Sequence, residues 1–175
     1  MFAHYRKCQS DEDYAQFTLY FIRNRKEFSR QFSLGDALFH VLESIHDSEI
    51  LLIFDKNEQL IGWGHYRYVN AKYEYDPEGD IVFINSVIVL PSYRSSSLFS
   101  QGFHYMLNQI AAENSSVKFV QFHAQIDNAY LNRLYSKFSS VIRQREGYYG
   151  MENVYSVDFG QLHDYLSAKQ SRTYR

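Results

Sequence analysis

Residues 81–102 read IVFINSVIVLPSYRSSSLFSQG: apolar on both faces from Ile81 to Leu90, interrupted at Pro91, then serine-rich before a helical pattern begins. Strand side chains alternate between faces, so an apolar run without alternation predicts a strand buried on both sides, in the middle of a sheet. Pro91 ends it, because proline has no N–H to donate to a central ladder. Leu98, Phe99, Phe103, Met106, Leu107 and Ile110 then recur at helical spacing. In open α/β sheets, ligands bind beside the carboxyl end of such a strand and the start of the helix that follows.

Working outward, the chain opens with a strand from Phe2 to Lys7 and a helix capped by Ser10. Asp11, Glu12 and Asp13 fill its first turn, where the helix dipole favours negative charge, and Tyr14, Phe17, Phe21, Phe28 and Phe32 form its apolar face. A second helix is predicted from Leu34 to Ile45, with Leu34, Leu38, Val41, Leu42 and Ile45 on one face. Ile50–Phe54 and Leu60–Val69 flank the turn-forming Asp55, Lys56 and Asn57 as a hairpin, and Pro77, Glu78 and Gly79 mark the turn before Ile81. Beyond the central helix come a strand from Val117 to Gln125, a short helix with Leu131, Leu134, Tyr135 and Phe138, and strands at Val141–Tyr148 and Val154–Phe159. The order βααβββαβαββ predicts an α/β fold with a mixed, largely antiparallel central sheet and helices on both faces. One domain is expected over residues 1–160, followed over 161–175 by an amphipathic segment and a basic, solvated tail at Lys169, Arg172 and Arg175.

Composition narrows the function. The chain has 175 residues, 45% of them hydrophobic, enough for one sizeable core. Its 18 basic and 20 acidic residues give a net charge of −2, which supplies no field for a nucleic-acid backbone, so no nucleic-acid partner is expected. The longest apolar run is about half of the ~20 residues of a membrane helix, and MFAHYRKCQSDED has no export-type apolar stretch. The expectation is a cytoplasmic protein with no membrane partner. Cys8 is the single cysteine and the histidines are scattered, so no metal is expected. An aromatic content of 18% fits a thick core and an apolar cleft equally well.

Two segments carry chemistry. The amides of Ser95, Ser96, Ser97, Leu98 and Phe99, with the helix dipole and Arg94, can receive an anion such as phosphate, although the same serines also serve as an ordinary cap. Residues 125–138, QIDNAYLNRLYSKF, place Asn128 and Tyr135 on one side of a short helix. Tyr135 can be a proton donor into a cleft or a core residue with its hydroxyl at the edge.

Taken together and in this order, the segments resemble the GCN5-related N-acetyltransferase (GNAT) family. Val89, Pro91, Tyr93 and Arg94 fit the family's strand and pyrophosphate motif, and Asn128, Leu134, Tyr135, Lys137 and Phe138 fit its second motif. The resemblance implies acyl transfer from acetyl- or another acyl-coenzyme A to a small-molecule or protein amine by direct attack, Cys8 lying too far off for a thioester relay. It implies that the backbone of Val87, Ile88 and Val89 holds the pantetheine arm, that the amides of Ser95 to Phe99 take the diphosphate, that Asn128 fixes the arm, and that Tyr135 protonates the departing thiolate. Relatives often carry a glutamate base where this chain has Asn85, followed by Ser86; His65 and His123 are the substitutes, acting through water ordered by Asn85 and Ser86. Ser97 and Phe99 replace small residues of the motif, so Phe99 must turn its ring into the core or across the coenzyme. A catalytically degenerate module that binds acyl-coenzyme A or a protein partner is the alternative. A homodimer is compatible with the sequence.

Overall fold

A computed structural model of the chain describes residues 3–28, 32–94 and 96–173. The elements follow the expected order: β1 (Ala3–Lys7), α1 (Asp11–Phe28), α2 (Leu34–Asp47), β2 (Glu49–Asp55), β3 (Leu60–Val69), β4 (Ile81–Val89), a 3-10 turn (Pro91–Tyr93), α3 (Ser96–Glu113), β5 (Phe119–Gln125), α4 (Ala129–Tyr135), β6 (Ser140–Gly147), β7 (Gly150–Asp158) and α5 (Phe159–Thr173). The strands form a seven-stranded mixed sheet in the order β1-β2-β3-β4-β5-β7-β6. β4 pairs with β5 in parallel, whereas β1 with β2, β2 with β3, β5 with β7 and β6 with β7 are antiparallel. The chain divides into two compact units, one of residues 1–67 and 86–105, the other of residues 68–85 and 106–175.

In the first unit, α1 starts on a reciprocal cap: Ser10 Oγ accepts from the Asp13 amide, and Asp13 Oδ2 accepts from the Ser10 amide. Phe17 and Phe21 build an aromatic core, each centred 5.2 Å from Trp63. Phe32 joins that core against Phe21 but lies beyond α1, which ends at Phe28, so the apolar row spans more than the helix. α2 differs from expectation in its rotation. Ala37, Val41 and Ser44 are its buried row, and Leu34, Leu38 and Leu42 are exposed. The small Ala37 and Ser44 are the positions that leave room for a packed neighbour, which leucine side chains would not.

In the second unit, Val69, Ile81, Phe83 and Val154 form a buried cluster with Tyr73 packed on it. Asn114 anchors the turn before β4, its amide donating to the carbonyls of Pro77 and Gly79. Gly79 belongs there because a Cβ would lie 2.3 Å from the Val69 carbonyl oxygen. α5 begins at Phe159 and buries Leu162 and Leu166, so the boundary expected after residue 160 falls within its first turn. The backbone stays helical through Lys169 and Arg172, where a tail was expected; Arg175 lies outside the described residues.

Candidate active site

In the first unit, the end of β4 and the start of α3 are held from several sides. β4 is buried over Ile81–Ile84 and opens from Asn85 onward, with Val87 exposed and Ile88 and Val89 half-buried. Its end lies close to β3: the Leu90 amide donates to the Ile61 carbonyl, and a Cβ on Gly62 would stand 2.4 Å from the Ile88 oxygen. The 3-10 turn begins on Pro91, whose fixed φ suits a first helical position. Tyr93 then donates its hydroxyl to Asp55 Oδ2 at 3.0 Å, and Asp55 Oδ1 accepts from the amides of Asn57 and Gln59. Arg94 turns back, Nε donating to the Val89 carbonyl at 2.8 Å and Nη2 to Glu27.

α3 then starts, and the first amides of any helix have no intrahelical acceptor. Leu98 is buried against Ile53 and Ile61, and its carbonyl accepts from the Tyr5 hydroxyl. The Phe99 ring, half-buried, stacks on the buried Phe103 at 5.2 Å and an interplanar angle of 19°. Gly102 gives Tyr5 its place, since a Cβ there would lie 3.2 Å from the ring. Ser95 falls outside the described residues; Ser96 opens the helix, and Ser97 is half-buried.

In the second unit, Asn128 is the N-cap of α4, its Oδ1 accepting from the Leu131 amide at 3.0 Å. Asn132 is the hub of the region. Its Nδ2 donates to the carbonyls of Gln125, Ile126 and Asn128, and its Oδ1 accepts from Tyr155 Oη at 2.6 Å and Asn153 Nδ2 at 2.9 Å. Tyr135 closes α4 with its ring edge-on to Phe122 (4.5 Å) and to Tyr155 (5.5 Å). Burial, helped by the neighbouring phenols of Tyr155 and Tyr130, pushes its hydroxyl up to about 12. Tyr135 is therefore protonated throughout the neutral range. Its hydroxyl donates to no side chain or carbonyl among the described residues.

The β4–β5 ladder runs from Ile81 opposite Phe119 to Ile84 opposite Phe122. At the next β4 carbonyl, that of Asn85, a side chain takes over: His123 Nε2 lies 3.0 Å from it. Nδ1 of the same ring lies 3.0 Å from Glu152 Oε2, which also receives Arg145 Nε at 3.1 Å. Both ring nitrogens thus face oxygens that only accept. Burial raises the Glu152 carboxyl, but His123 and Arg145 outweigh it and hold the group below the usual carboxylate range. Gly147 makes room for that carboxylate, since a Cβ there would stand 2.2 Å from its Cδ. His65 has a different setting, 1% exposed on β3 with its ring edge-on to Trp63 and His40 in the first unit's core.

Thus the structure places Val87, Ile88, Val89, Arg94, Leu98 and Phe99 in one unit, and Asn85, His123, Asn128 and Tyr135 in the other. Asp55, Asn132, Arg145 and Glu152 were not legible in the sequence, because each acts through a strand pairing or turn that spacing does not show.

The model of the family described as "Acetyltransferase (GNAT) family" matches residues 13–139, spanning both motif segments. The chain belongs to the GNAT family. Similar solved structures include the spermidine N-acetyltransferase of Vibrio cholerae in complex with CoA and spermine, at 12% identity and a TM-score of 0.65, covering 91% of this chain and 97% of that one. NAA60 of Arabidopsis thaliana with a bisubstrate analogue gives 16% identity and a TM-score of 0.64, covering 90% and 99%. RimL, a ribosomal L7/L12 α-N-protein acetyltransferase in complex with coenzyme A, gives 14% and 0.64, covering 89% and 93%. At these identities the likeness establishes the GNAT fold. No curated protein matches the sequence. Among the described residues, no three His, Cys, Asp or Glu side chains converge as a metal site needs, and no helix is long and apolar enough to cross a membrane.

Proposed function

We propose that the chain transfers an acyl group from acyl-coenzyme A to an amine, by direct attack of the amine on the thioester. The observation that carries this is Tyr135, at the tyrosine position of the second family motif: a protonated phenol fixed by Phe122 and Tyr155, with no hydrogen-bond acceptor among the described residues. The stacking of Phe99 on the buried Phe103 supports a fit for the coenzyme's diphosphate at the start of α3, with the amides of Ser95 to Phe99 as donors. In the first unit, Val87, Ile88 and Val89, on the open half of β4, hold the pantetheine arm through their backbone; in the second, Asn128 keeps the amide group that its cap leaves over.

Acyl-coenzyme A supplies the activated thioester; the chain supplies position and a proton. A thiol's ordinary pKa is about 8.5, so full transfer from a phenol near 12 is uphill by about 5 kcal/mol. Tyr135 therefore acts as a hydrogen-bond donor to sulfur as negative charge develops there. His123 is a positioning residue for β4 in this reading, because both of its nitrogens are engaged by acceptors. His65 takes no part. The amine's proton leaves through water beside Asn85 and Ser86, whose side chains orient it without accepting it.

The alternative, a module that binds acyl-coenzyme A without turnover, is favoured by one observation: Arg94 is tied to Val89 and Glu27. Thermal shift with acetyl-coenzyme A tests binding, and thiol release with a panel of amines separates enzyme from binder. Stabilisation with no thiol release from any amine selects the module. No stabilisation at saturating coenzyme removes both readings.

A further inference from the structure

β6 carries a feature that the acyltransferase reading leaves unused. A bulge between Val141 and Arg143 shifts the register, so that Arg143 stands opposite Val154 and Arg145 opposite Glu152. The two arginines are two residues apart and share one face of the strand. His123, itself opposite Val154 across β7, shares that face.

Each guanidinium lies against an aromatic ring. Arg143 Cζ is 3.9 Å from the centroid of Tyr73, and Arg145 Cζ is 5.1 Å from that of Phe83. Tyr73 is held in turn: its hydroxyl donates to Gln121 Oε1 at 2.7 Å, and its ring meets Phe83 edge-on. Its φ of 66° is a conformation that a bulky residue rarely adopts, and such strain persists only where surrounding contacts enforce it.

The charges do not balance. Glu152 is the one carboxylate on the described cluster, and it serves both Arg145 and His123. Arg143 has no carboxylate partner among the described residues. The acids of the neighbouring turn are engaged elsewhere: Glu74 accepts from Asn70, Asp76 from the Glu78 amide, and Asp80 pairs with Lys118. A guanidinium over a ring keeps a fork of N–H donors, whose geometry matches two oxygens of a carboxylate or phosphate.

We infer that Arg143 and Arg145 form an anion-binding surface, and that the acceptor amine carries a carboxylate or phosphate that seats there. The second half rests on the acyltransferase reading. A polyamine carries only positive charge and is repelled by this surface.

The test uses the full chain and matched amines: cadaverine against lysine, tyramine against tyrosine, and ethanolamine against O-phosphoethanolamine, with thiol release from acetyl-coenzyme A as readout. The anionic member of at least one pair is favoured by about tenfold or more in kcat/KM. Arg143→Gln abolishes that preference, Arg143→Lys keeps only part of it, and Lys118→Gln leaves it intact. Calorimetric titration with glutamate and with inorganic phosphate at low salt separates the two anion classes and does not depend on turnover. Saturable heat in the wild type that is lost in a folded Arg143→Gln protein supports the surface; no heat, or equal heat in the variant, overturns it. Anion binding combined with turnover indifferent to acceptor charge overturns the acceptor assignment alone. Absence of turnover with every amine defeats the acyltransferase reading and leaves the calorimetry to judge the surface.

Discussion

Tyr93 Oη donates to Asp55 Oδ2 at 3.0 Å, joining the turn after β4 to the end of β2. Asp55 is buried and also accepts from two backbone amides, first Gln59 and then Asn57, so its carboxyl is held below the ordinary range. One side chain thus fixes both the β2–β3 turn and the turn that leads to α3. Tyr93→Phe is expected to lower the urea midpoint slightly and to weaken acetyl-coenzyme A binding by about threefold or more. Asp55→Ala is expected to lower the midpoint further, since two amides lose their acceptor. Equal midpoints for the two variants would show that the phenol, not the turn, carries the stabilisation.

Tyr135→Phe removes one hydroxyl and keeps the ring between Phe122 and Tyr155. The expected loss in kcat is about 100-fold, with the KM for acetyl-coenzyme A changed by less than about twofold. With the hydroxyl at about 12, no fall in wild-type rate assignable to Tyr135 is expected below about pH 11. Steady-state kinetics from pH 6.5 to 10 measure both. A Tyr135→Phe enzyme with full turnover would leave the sulfur's proton to water.

The fold was legible because its signals are local. The apolar run from Ile81, interrupted only by Asn85 and Ser86, Pro91 at its end, and the acidic first turn after Ser10 each act within a few residues, and the element order follows from them. The rotation of α2 was not legible, because Leu34, Leu38 and Leu42 mimic a buried row while the helix buries Ala37, Val41 and Ser44. At the site, Tyr135 and Asn128 could be found from motif spacing. Glu152 could not, for it meets His123 only through the pairing of β5 with β7, and nothing in its own neighbourhood sets it apart from other strand acids. His65 and His123 look alike in sequence; packing makes one a core ring and the other a bridge.

Glu152 and Gly147 provide a test of that bridge. Glu152→Gln leaves Arg145 and His123 without their carboxylate and is expected to cost about 3 kcal/mol in urea unfolding. Gly147→Ala drives a methyl group into the space of the carboxylate, so it too destabilises. Much of the Gly147→Ala cost is expected to vanish in a Glu152→Ala background, where nothing is left to displace. A double-mutant cycle reads this directly, and strict additivity would mean that Gly147 serves the β6–β7 turn and not Glu152. His123→Gln retains a donor for the Asn85 carbonyl, so the positioning role predicts an unchanged pH profile of kcat/KM, whereas a proton-accepting His123 predicts the loss of a limb.

Stability is expected to fall with alkali for a reason that lies in the core. Cys8 is buried on the loop after β1, and burial, reinforced by the Asp13 carboxylate, pushes its thiol up to about 12. Burial raises the phenols of Tyr5 and Tyr20 and, to about 12, that of Tyr135. The unfolded chain releases the thiol proton near pH 8.5 and the phenol protons near pH 10, while the folded chain keeps them. Above these values the folded state binds more protons than the unfolded state, so the unfolding free energy declines with rising pH, by about 1.4 kcal/mol per pH unit for each group in its window. The contribution is fully present below about pH 8. Urea midpoints between pH 7 and 10.5 should fall from about pH 8.5, and Cys8→Ala should flatten the first part of that fall while lowering the midpoint at pH 7. A midpoint that holds level to pH 10 would show that the Cys8 thiolate forms in the folded state without penalty, and the buried setting of Cys8 would have to be abandoned.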